Sequence, residues 1–426
     1  MRPLEFTPIS LLSDPLSSFN TYNLSARREL WLLITLAGIQ FTHIVDFMVM
    51  MPLGPQLTQL FKITDAQFGL LVSAYTLAAG VSGVASAFYI DRFGRKKLLL
   101  VMYALFALAT LGCSLAPTYE TLMLARIGAG VFGGVLGSLS QTIVGDVIAF
   151  DRRGRAMAIV MSAFSAATVV GVPMSLFLAA HISWHAPFVA IAVFSGVIAI
   201  FAFITLPALT GHIGQQKISA LKNIVETLRD RNNQKGFLLS ALMMSAGFFV
   251  IPYITIYMVS TGGLSQQQVP YVYLSGGVAT LISARLVGRF TDRIGKIPMF
   301  RRTATFAAIP ILGLTLTAGL PVWAILFVST CFFVAMSSRM IPGMAILTSI
   351  SAPAQRGTFM AINSAVQSCA MGIAAFLGGL IISRDAAGHV QNYWANGLVG
   401  AAVSLLMAWW VVRITLHGAA APANIK

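Results

Sequence analysis

Long apolar runs, separated by short connections rich in Lys and Arg, constrain this chain more than any other feature. Twelve runs are found, at roughly residues 30–54, 68–90, 98–116, 120–147, 156–180, 186–207, 236–260, 268–290, 301–319, 322–349, 357–382 and 394–414. Each holds about 20 residues or more, which at ~1.5 Å per residue is enough to cross the ~30 Å hydrocarbon core of a bilayer. Because such runs satisfy their backbone hydrogen bonds only as helices, the pattern predicts an all-α membrane protein with twelve transmembrane helices.

The composition agrees with a surface that faces lipid. Hydrophobic residues make up 57% of the 426 residues and charged residues only 10%, with a net charge of +15. A soluble domain carries about 25% charged residues, so we expect an integral membrane protein.

The excess positive charge falls on one side of the predicted membrane. Most of the 28 Lys and Arg residues lie in connections on that side, whereas Lys62 and Arg384 lie on the opposite side and Arg126, Arg285 and Arg339 lie inside spans. Basic connections mark the cytoplasmic side because Lys and Arg are costly to translocate. Since the number of spans is even, both termini are expected in the cytoplasm, and no basic patch is left over for a nucleic acid.

Several kinds of chemistry are disfavoured by the sequence. Cys113, Cys331 and Cys369 lie within apolar runs, so disulfides and a Cys-based metal site are not expected. His and carboxylate residues are too scattered for an enzyme site, and no phosphate-binding loop for a nucleotide is found. We therefore expect no cofactor, no metal and no enzymatic activity; a receptor or scaffold that transports nothing is a further alternative.

The chain also contains an internal repeat. The basic segment Tyr89–Lys97 returns as Gly288–Lys296, with Asp292 following Asp91 by 201 residues. A second match, between Arg153–Ile159 and Arg356–Ile362, has an offset of 203. Two matches at nearly one offset predict a duplicated bundle, as in transporters whose halves rock about a central site.

The repeat suggests a division of the chain into two six-helix bundles. We predict a cytoplasmic tail without a signal peptide, a first bundle, a linker, a second bundle and a short cytoplasmic tail, at residues 1–28, 29–207, 208–235, 236–414 and 415–426. Within the linker, apolar residues recur at helical spacing between charged ones, which predicts an interfacial helix. The apolar residues are Ile218, Leu221, Ile224, Val225 and Leu228.

These motifs resemble those of the major facilitator superfamily over residues 28–414. Tyr89–Lys97 is similar to the signature loop of that family, Asp292–Lys296 to its second-half copy, and Leu124–Gly130 to its fourth-span motif with an intramembrane Arg. The resemblance implies a monomeric transporter of a small-molecule substrate, which works by alternating access and uses protons as the coupling ion.

Other segments resemble the drug and sugar efflux branch of that superfamily. They are His43–Met48, Met51–Pro55, Gly171–Pro173 and Trp184–Phe188. The resemblance implies proton antiport, with efflux of an amphipathic or sugar-like solute across a bacterial inner membrane. The antiporter motif of the fifth span is incomplete because Val172 separates Gly171 from Pro173, so uptake by a proton symporter or a uniporter stays open.

Asp46 and Arg126 are the first candidates for proton coupling. Counted along their helices, both lie at a similar depth, about 24 Å and about 21 Å from the cytoplasmic face. Because a lone charge there costs ~2.5–3.5 kcal/mol or more, we expect the two to meet directly or through water. Asp46 can carry the proton, or the pair can be a fixed structural tie. His43, one turn earlier, can relay protons or simply bond a neighbour.

Arg339 lies inside the tenth span, and the second half offers it no intramembrane acid. It can bind a substrate carboxylate or phosphate, or it can cap carbonyls and snorkel to the surface. Other polar and aromatic side chains can line a substrate cavity or merely pack: Gln40, Tyr75, Gln141, Tyr253, Tyr257, Asn363 and Gln367.

The basic loops form a candidate cytoplasmic gate. Asp91 can accept hydrogen bonds from neighbouring Arg residues, and Asp146 offers a second acid, although retention of cations is a sufficient topological explanation. The candidate gate residues are Asp91, Arg92, Gly94, Arg95, Asp146, Arg285, Asp292 and Arg293.

Overall fold

The computed structural model describes residues 25–86, 88–148, 152–210, 220–351 and 355–417, without the side chains of residues 91, 153, 154 and 220–222. The predicted N-terminal tail up to residue 24, the C-terminal tail from residue 418 and the side chain of Asp91 therefore lie outside the described part.

Helices account for nearly all of the regular structure in these ranges. They are α1 (Ala26–Val49), α2 (Gly54–Leu60), α3 (Asp65–Ser86), α4 (Arg95–Ser114), α5 (Tyr119–Val147), α6 (Arg153–Ala166), α7 (Val172–His181), α8 (Ala186–Thr205), α9 (Ala220–Arg229), α10 (Arg231–Phe248), α11 (Ile254–Ser260), α12 (Val269–Ile294), α13 (Lys296–Thr315), α14 (Val322–Leu347), α15 (Arg356–Ile381) and α16 (Tyr393–Trp410). A two-residue antiparallel pair, β1 (Ser383–Arg384) with β2 (Val390–Gln391), lies between α15 and α16.

The prediction of an all-α fold with twelve membrane helices is confirmed. The first span is α1 with α2, the fifth is α6 with α7, and the seventh is α10 with α11, while nine further helices each form one span. Ten spans within the described ranges are long and apolar enough to cross a membrane on those criteria alone. The eighth and ninth, α12 and α13, are equally long but carry several Arg residues. The helix α9 lies inside the predicted linker.

Breaks in the helices repeat between the two halves. The first span bends between α1 and α2, beside Pro52 and Pro55, and the seventh bends at Ile251–Tyr253, around Pro252. The fifth span passes through a π-helical turn, Ala167–Gly171, just before Pro173. Proline lacks an N–H and clashes with the preceding turn, so each break falls where the regular hydrogen-bond ladder cannot continue.

Close helix packing in the first half depends on glycine. A Cβ at Gly130 of α5 would lie 2.4 Å from the carbonyl oxygen of Tyr75, and one at Gly134 would lie 2.2 Å from that of Ala79. Because neither position has room for a side chain, α3 and α5 approach each other closely. This contact brings Tyr75 next to the inner face of α5.

The two halves are held together at one end of the bundle. We call the end that carries the basic loops the basic end, and the other the opposite end. From the opposite end inward, α3 packs on α15: Ser73 Oγ donates to the carbonyl of Gly372 at 2.6 Å, and a Cβ at Gly80 would lie 3.3 Å from the carbonyl oxygen of Ala365. One turn further toward the basic end, Ala361 is exposed. The halves therefore diverge toward the basic end.

Candidate functional site

A buried ion pair joins α1 and α5 within the first half. Arg126 Nη1 donates to Asp46 Oδ2 at 2.9 Å and to the backbone carbonyl of Asp46 at 3.2 Å. Both side chains are fully buried. Charges removed from water in this way are tolerated because each compensates the other, and losing either partner leaves an uncompensated charge.

The pair retains unused hydrogen-bonding capacity. Asp46 Oδ1 and the Nε and Nη2 atoms of Arg126 have no partner among the described residues. Thr110 and Cys113 of α4 lie beside the pair. A carboxylate with a free oxygen can accept a proton, and a guanidinium with free N–H groups can hold a second acceptor.

A stack of rings runs from this pair to the other half of the protein. The guanidinium carbon of Arg126 lies 4.3 Å from the centre of the Tyr75 ring. Tyr75 stacks on Phe47 at 5.5 Å between ring centroids, and Phe47 stacks on Phe248 of α10 at 5.9 Å. Cation–π and stacking contacts are each worth about 0.5–1.5 kcal/mol, so the stack mechanically links the ion pair to the second half.

His43 lies one turn from Asp46 and packs among rings. Its centroid is 6.0 Å from those of Tyr75 and Phe106, and both ring nitrogens lack a hydrogen-bond partner in the described part of the chain. A Cβ at Gly133 would lie 2.7 Å from His43 Nε2 and 2.9 Å from the Tyr75 hydroxyl, so glycine makes room for both. The structure thus brings His43, Asp46 and Arg126 into one site.

Arg339 of α14 is buried in the second half. Its Nη2 donates to the backbone carbonyl of Met243 at 3.0 Å, while Nε and Nη1 have no partner among the residues described. No carboxylate in those ranges pairs with it. Its exposed fraction is 3%, so the cation does not snorkel to the surface.

The predicted cavity residues fall into two groups. On the inner side, Gln40 is half-buried, Gln141 is exposed and Asn363 is buried with its Oδ1 unpartnered within the described ranges. Gln367 Nε2 donates to Ser240 Oγ at 2.9 Å. Open space lies beside Gly137, one turn before Gln141 on α5, since no atom lies within 4 Å of a Cβ built there.

Tyr253 and Tyr257 lie instead in packed contacts toward the opposite end. The hydroxyl of Tyr253 donates to the carbonyl of Ala375, across the α10–α15 contact. The hydroxyl of Tyr257 accepts the backbone N–H of Ala318 at 3.0 Å, and its ring packs on Tyr393 at 4.7 Å. Both hydroxyls are thereby engaged by backbone groups.

Of the candidate gate residues in the first half, Arg95 and Asp146 meet. Arg95 Nε donates to Asp146 Oδ2 at 3.0 Å, and Nη1 donates to the carbonyl of Ile90 at 2.7 Å. Arg92 is exposed, and Gly94 begins α4 beside Thr210. These bonds tie the α3–α4 loop to α5 within one half.

The second-half copy of the loop is more open. Arg285, Asp292 and Arg293 are all exposed. Gly295 has φ +97°, a left-handed conformation that other residues adopt at a cost, which explains the glycine between α12 and α13.

A second ion pair, which sequence analysis missed, fastens the opposite end. Arg384 Nε donates to Asp65 Oδ2 at 2.8 Å and Nη2 donates to Asp65 Oδ1 at 2.7 Å, so the pair is bidentate and joins the two halves. These hydrogen bonds raise the pKa of Arg384 above its ordinary value. Nearby, Gln56 Nε2 donates to Gln266 Oε1 at 3.1 Å. The available signal was that Arg384 is one of only two basic residues on that side.

Comparisons with known proteins give one consistent result. A family profile described as the Major Facilitator Superfamily matches residues 36–340. The chain is 22% identical to an uncharacterized MFS-type transporter of Bacillus subtilis, YbcL, over 88% of this chain and 95% of that protein. It is also 22% identical to a probable sugar efflux transporter of Mannheimia succiniciproducens, over 94% of this chain and 97% of that protein.

A solved structure shares the fold. The D-xylose-proton symporter superposes with a TM-score of 0.76 at 18% sequence identity, over 92% of this chain and 98% of that one.

Breaking the buried ion pair should destabilise the protein strongly. We expect Asp46→Asn or Arg126→Gln to cost ~3–5 kcal/mol, because each leaves a buried charge without its partner. The double substitution should cost less than the sum of the two. Thermal unfolding in detergent measures these losses.

The matched control is Glu29→Gln, also on α1. Glu29 pairs with Arg152, which is 53% exposed, and such surface pairs contribute about 0–1 kcal/mol. Equal losses for Asp46→Asn and Glu29→Gln would contradict the assignment of the buried pair as a main stabilising contact.

Proposed function

The chain belongs to the Major Facilitator Superfamily, a family of transporters and not of enzymes, and from this premise we propose that it is a proton-coupled exporter of a small amphipathic or sugar-like solute. The single observation that supports coupling most strongly is the fully buried Asp46–Arg126 pair with its unused carboxylate oxygen. The sugar efflux transporter to which the chain is similar supports the direction and the class of solute.

Asp46 is the proton carrier in this proposal. When Asp46 is ionised, Arg126 holds it at 2.9 Å; when Asp46 is protonated, that attraction weakens and the guanidinium is free to bind another acceptor. His43 is placed to pass the proton because its ring lies one turn away. Proton and solute then compete for one state of the site, which is the requirement for antiport.

The ring stack converts this local change into movement of the halves. Arg126 rests on Tyr75, Tyr75 on Phe47, and Phe47 on Phe248 across the interface. A shift of Arg126 therefore alters a contact between the halves, which biases their relative orientation. Solute would bind toward the basic end of this stack, near Gln40, Gln141 and the space beside Gly137.

We assign the basic end to the cytoplasm, which makes the described state open to the cytoplasm. The assignment rests on the concentration of Lys and Arg in its loops. In the opposite state the loops would close together: the Arg95–Asp146 network, with Asp91, Arg92 and Gly94, would meet Arg285, Asp292 and Arg293 of the second half. Exposure of those three residues here is what an open gate requires.

Proton coupling is tested in proteoliposomes that contain a pH-sensitive dye. We expect solute-dependent proton movement with amphipathic or sugar-like solutes, directed opposite to the solute. Asp46→Asn should abolish the proton movement and retain solute exchange, because the substituted site no longer titrates. Asp385→Asn, in an exposed loop, is the control and should couple normally. Normal coupling in Asp46→Asn, or proton movement in the same direction as solute, would contradict the proposal.

The Asp65–Arg384 pair should act as the latch of the outer side. Arg384→Gln removes a bidentate contact between the halves, so the population open at that end should rise several-fold. Spin labels at Leu60 and Gln267, in a chain without its three native cysteines, report the separation. Lys62→Gln, at the other basic position on that end, is the control. An unchanged distance distribution in Arg384→Gln would refute the latch.

Uptake of an organic anion is a second candidate, favoured by one observation. Arg339 is buried, has two nitrogens without a partner and faces no carboxylate among the described residues, so a substrate carboxylate would neutralise it.

The second candidate is tested with matched solutes, carboxylates and their uncharged amides, under an inward proton gradient. It requires that carboxylates are taken up about tenfold faster than amides, and that Arg339→Gln removes this preference by removing the buried charge. Arg301→Gln, on the exposed face of α13, is the control. Equal rates for both solute classes would exclude this candidate and leave the exporter proposal intact.

A further inference from the structure

A cleft on the outside of the second half is not explained by transport. It lies between α13 and α14 and has a volume of about 490 Å³. Its walls are formed by Arg302, Thr303 and Phe306 from α13 and by Thr330, Cys331, Val334, Ala335 and Ser338 from α14.

The cleft faces lipid and not the interior of the bundle. Phe306 is 65% exposed, and on α14 the cleft residues continue the stripe of Trp323 and Phe327, which are 72% and 66% exposed. The neighbouring Arg339 points the other way, toward Met243 of α10. Whatever occupies the cleft therefore enters from the bilayer.

The walls of the cleft are suited to hydrocarbon. Thr303 Oγ1 donates to the carbonyls of Met299 and Phe300, and Thr330 Oγ1 donates to Ser275 Oγ and the carbonyl of Leu326. These hydroxyls are thus already satisfied, and the remaining wall is mainly apolar. A polar solute would gain little there, whereas an acyl chain would bury apolar surface.

The length and depth of the cleft match one leaflet. Along α13, Arg302 lies six residues, or about 9 Å, from the first residue, and along α14, Thr330 lies about 25 Å from the last. The cleft therefore extends about 16 Å inward, close to half of the ~30 Å hydrocarbon core. It runs from the surface at the basic end to the middle of the membrane.

Arg302 stands at the surface end of the cleft. It is exposed, and no carboxylate within the described ranges forms an ion pair with it. Its long side chain can reach the headgroup layer from a backbone position about 9 Å deep. We propose that the cleft binds one anionic phospholipid, with an acyl chain along α13 and α14 and the phosphate on the Arg302 guanidinium.

The charge decides between lipid classes. A guanidinium binds phosphate bidentately, and an anionic lipid also brings net negative charge to a cation without a counter-ion. A zwitterionic lipid presents its own cationic group to the same surface. Binding thus requires both parts of the ligand, the anion and the chain.

The proposal is tested by native mass spectrometry of the full-length protein released from detergent with phosphatidylglycerol or phosphatidylcholine. We expect one phosphatidylglycerol to be retained well above the others. Arg302→Gln should weaken its retention about tenfold because the charged contact is lost. Arg301→Gln, an exposed neighbour that does not line the cleft, is the matched control and should change retention less than twofold. Cys331→Phe keeps the charge, fills the cleft and should also release the lipid.

Other results would overturn the proposal. Equal weakening by Arg301→Gln and Arg302→Gln would show attraction by the general surface charge and not a site. Full retention in Cys331→Phe would show that the acyl chain lies elsewhere. Displacement of the lipid by millimolar inorganic phosphate would show a site for a free anion, and equal retention of phosphatidylcholine would show that the charge has no role.

Discussion

The fully buried ion pair between Asp46 and Arg126 is the interaction on which the rest of the first half depends. Two charges that lie deep among apolar helices are stable only together, so the pair fixes α1 against α5. The same features that make it stabilising also make it responsive. Adding one proton to Asp46 removes half of the compensation, and the structure around the pair must adjust. A strong contact and a chemical switch are therefore the same group of atoms.

The surroundings of the pair explain how such an adjustment can reach the second half. Tyr75 is held against the inner face of α5 because Gly130 and Gly133 leave room for it, and it carries Arg126 on one face and Phe47 on the other. Phe248 continues the stack across the interface. A side chain in place of either glycine would push Tyr75 away and interrupt this path. The small residues are thus as necessary to the path as the charged ones.

The two halves repeat in backbone but differ in chemistry. The first and seventh spans bend at matching places around proline, yet the second half has no counterpart of the buried carboxylate among its described residues. Arg339 stands there alone, bonded only to a carbonyl. An uncompensated cation in one half and a compensated one in the other means that the halves respond differently to protons and to anionic ligands. Duplication supplied the framework, and later divergence supplied the asymmetry that directional transport needs.

The sequence by itself determined the twelve helices, because apolar length and charge are local properties that the bilayer acts on directly. It also determined that Asp46 and Arg126 lie at one depth, since depth follows from counting residues along a helix. Only the tertiary structure decided which way each side chain faces. It placed Tyr253 and Tyr257 in packed contacts, and it joined Asp65 to Arg384 across 319 residues of chain. Rotation about a helix axis and contacts between distant segments depend on the packing of all the helices together, which no local pattern specifies.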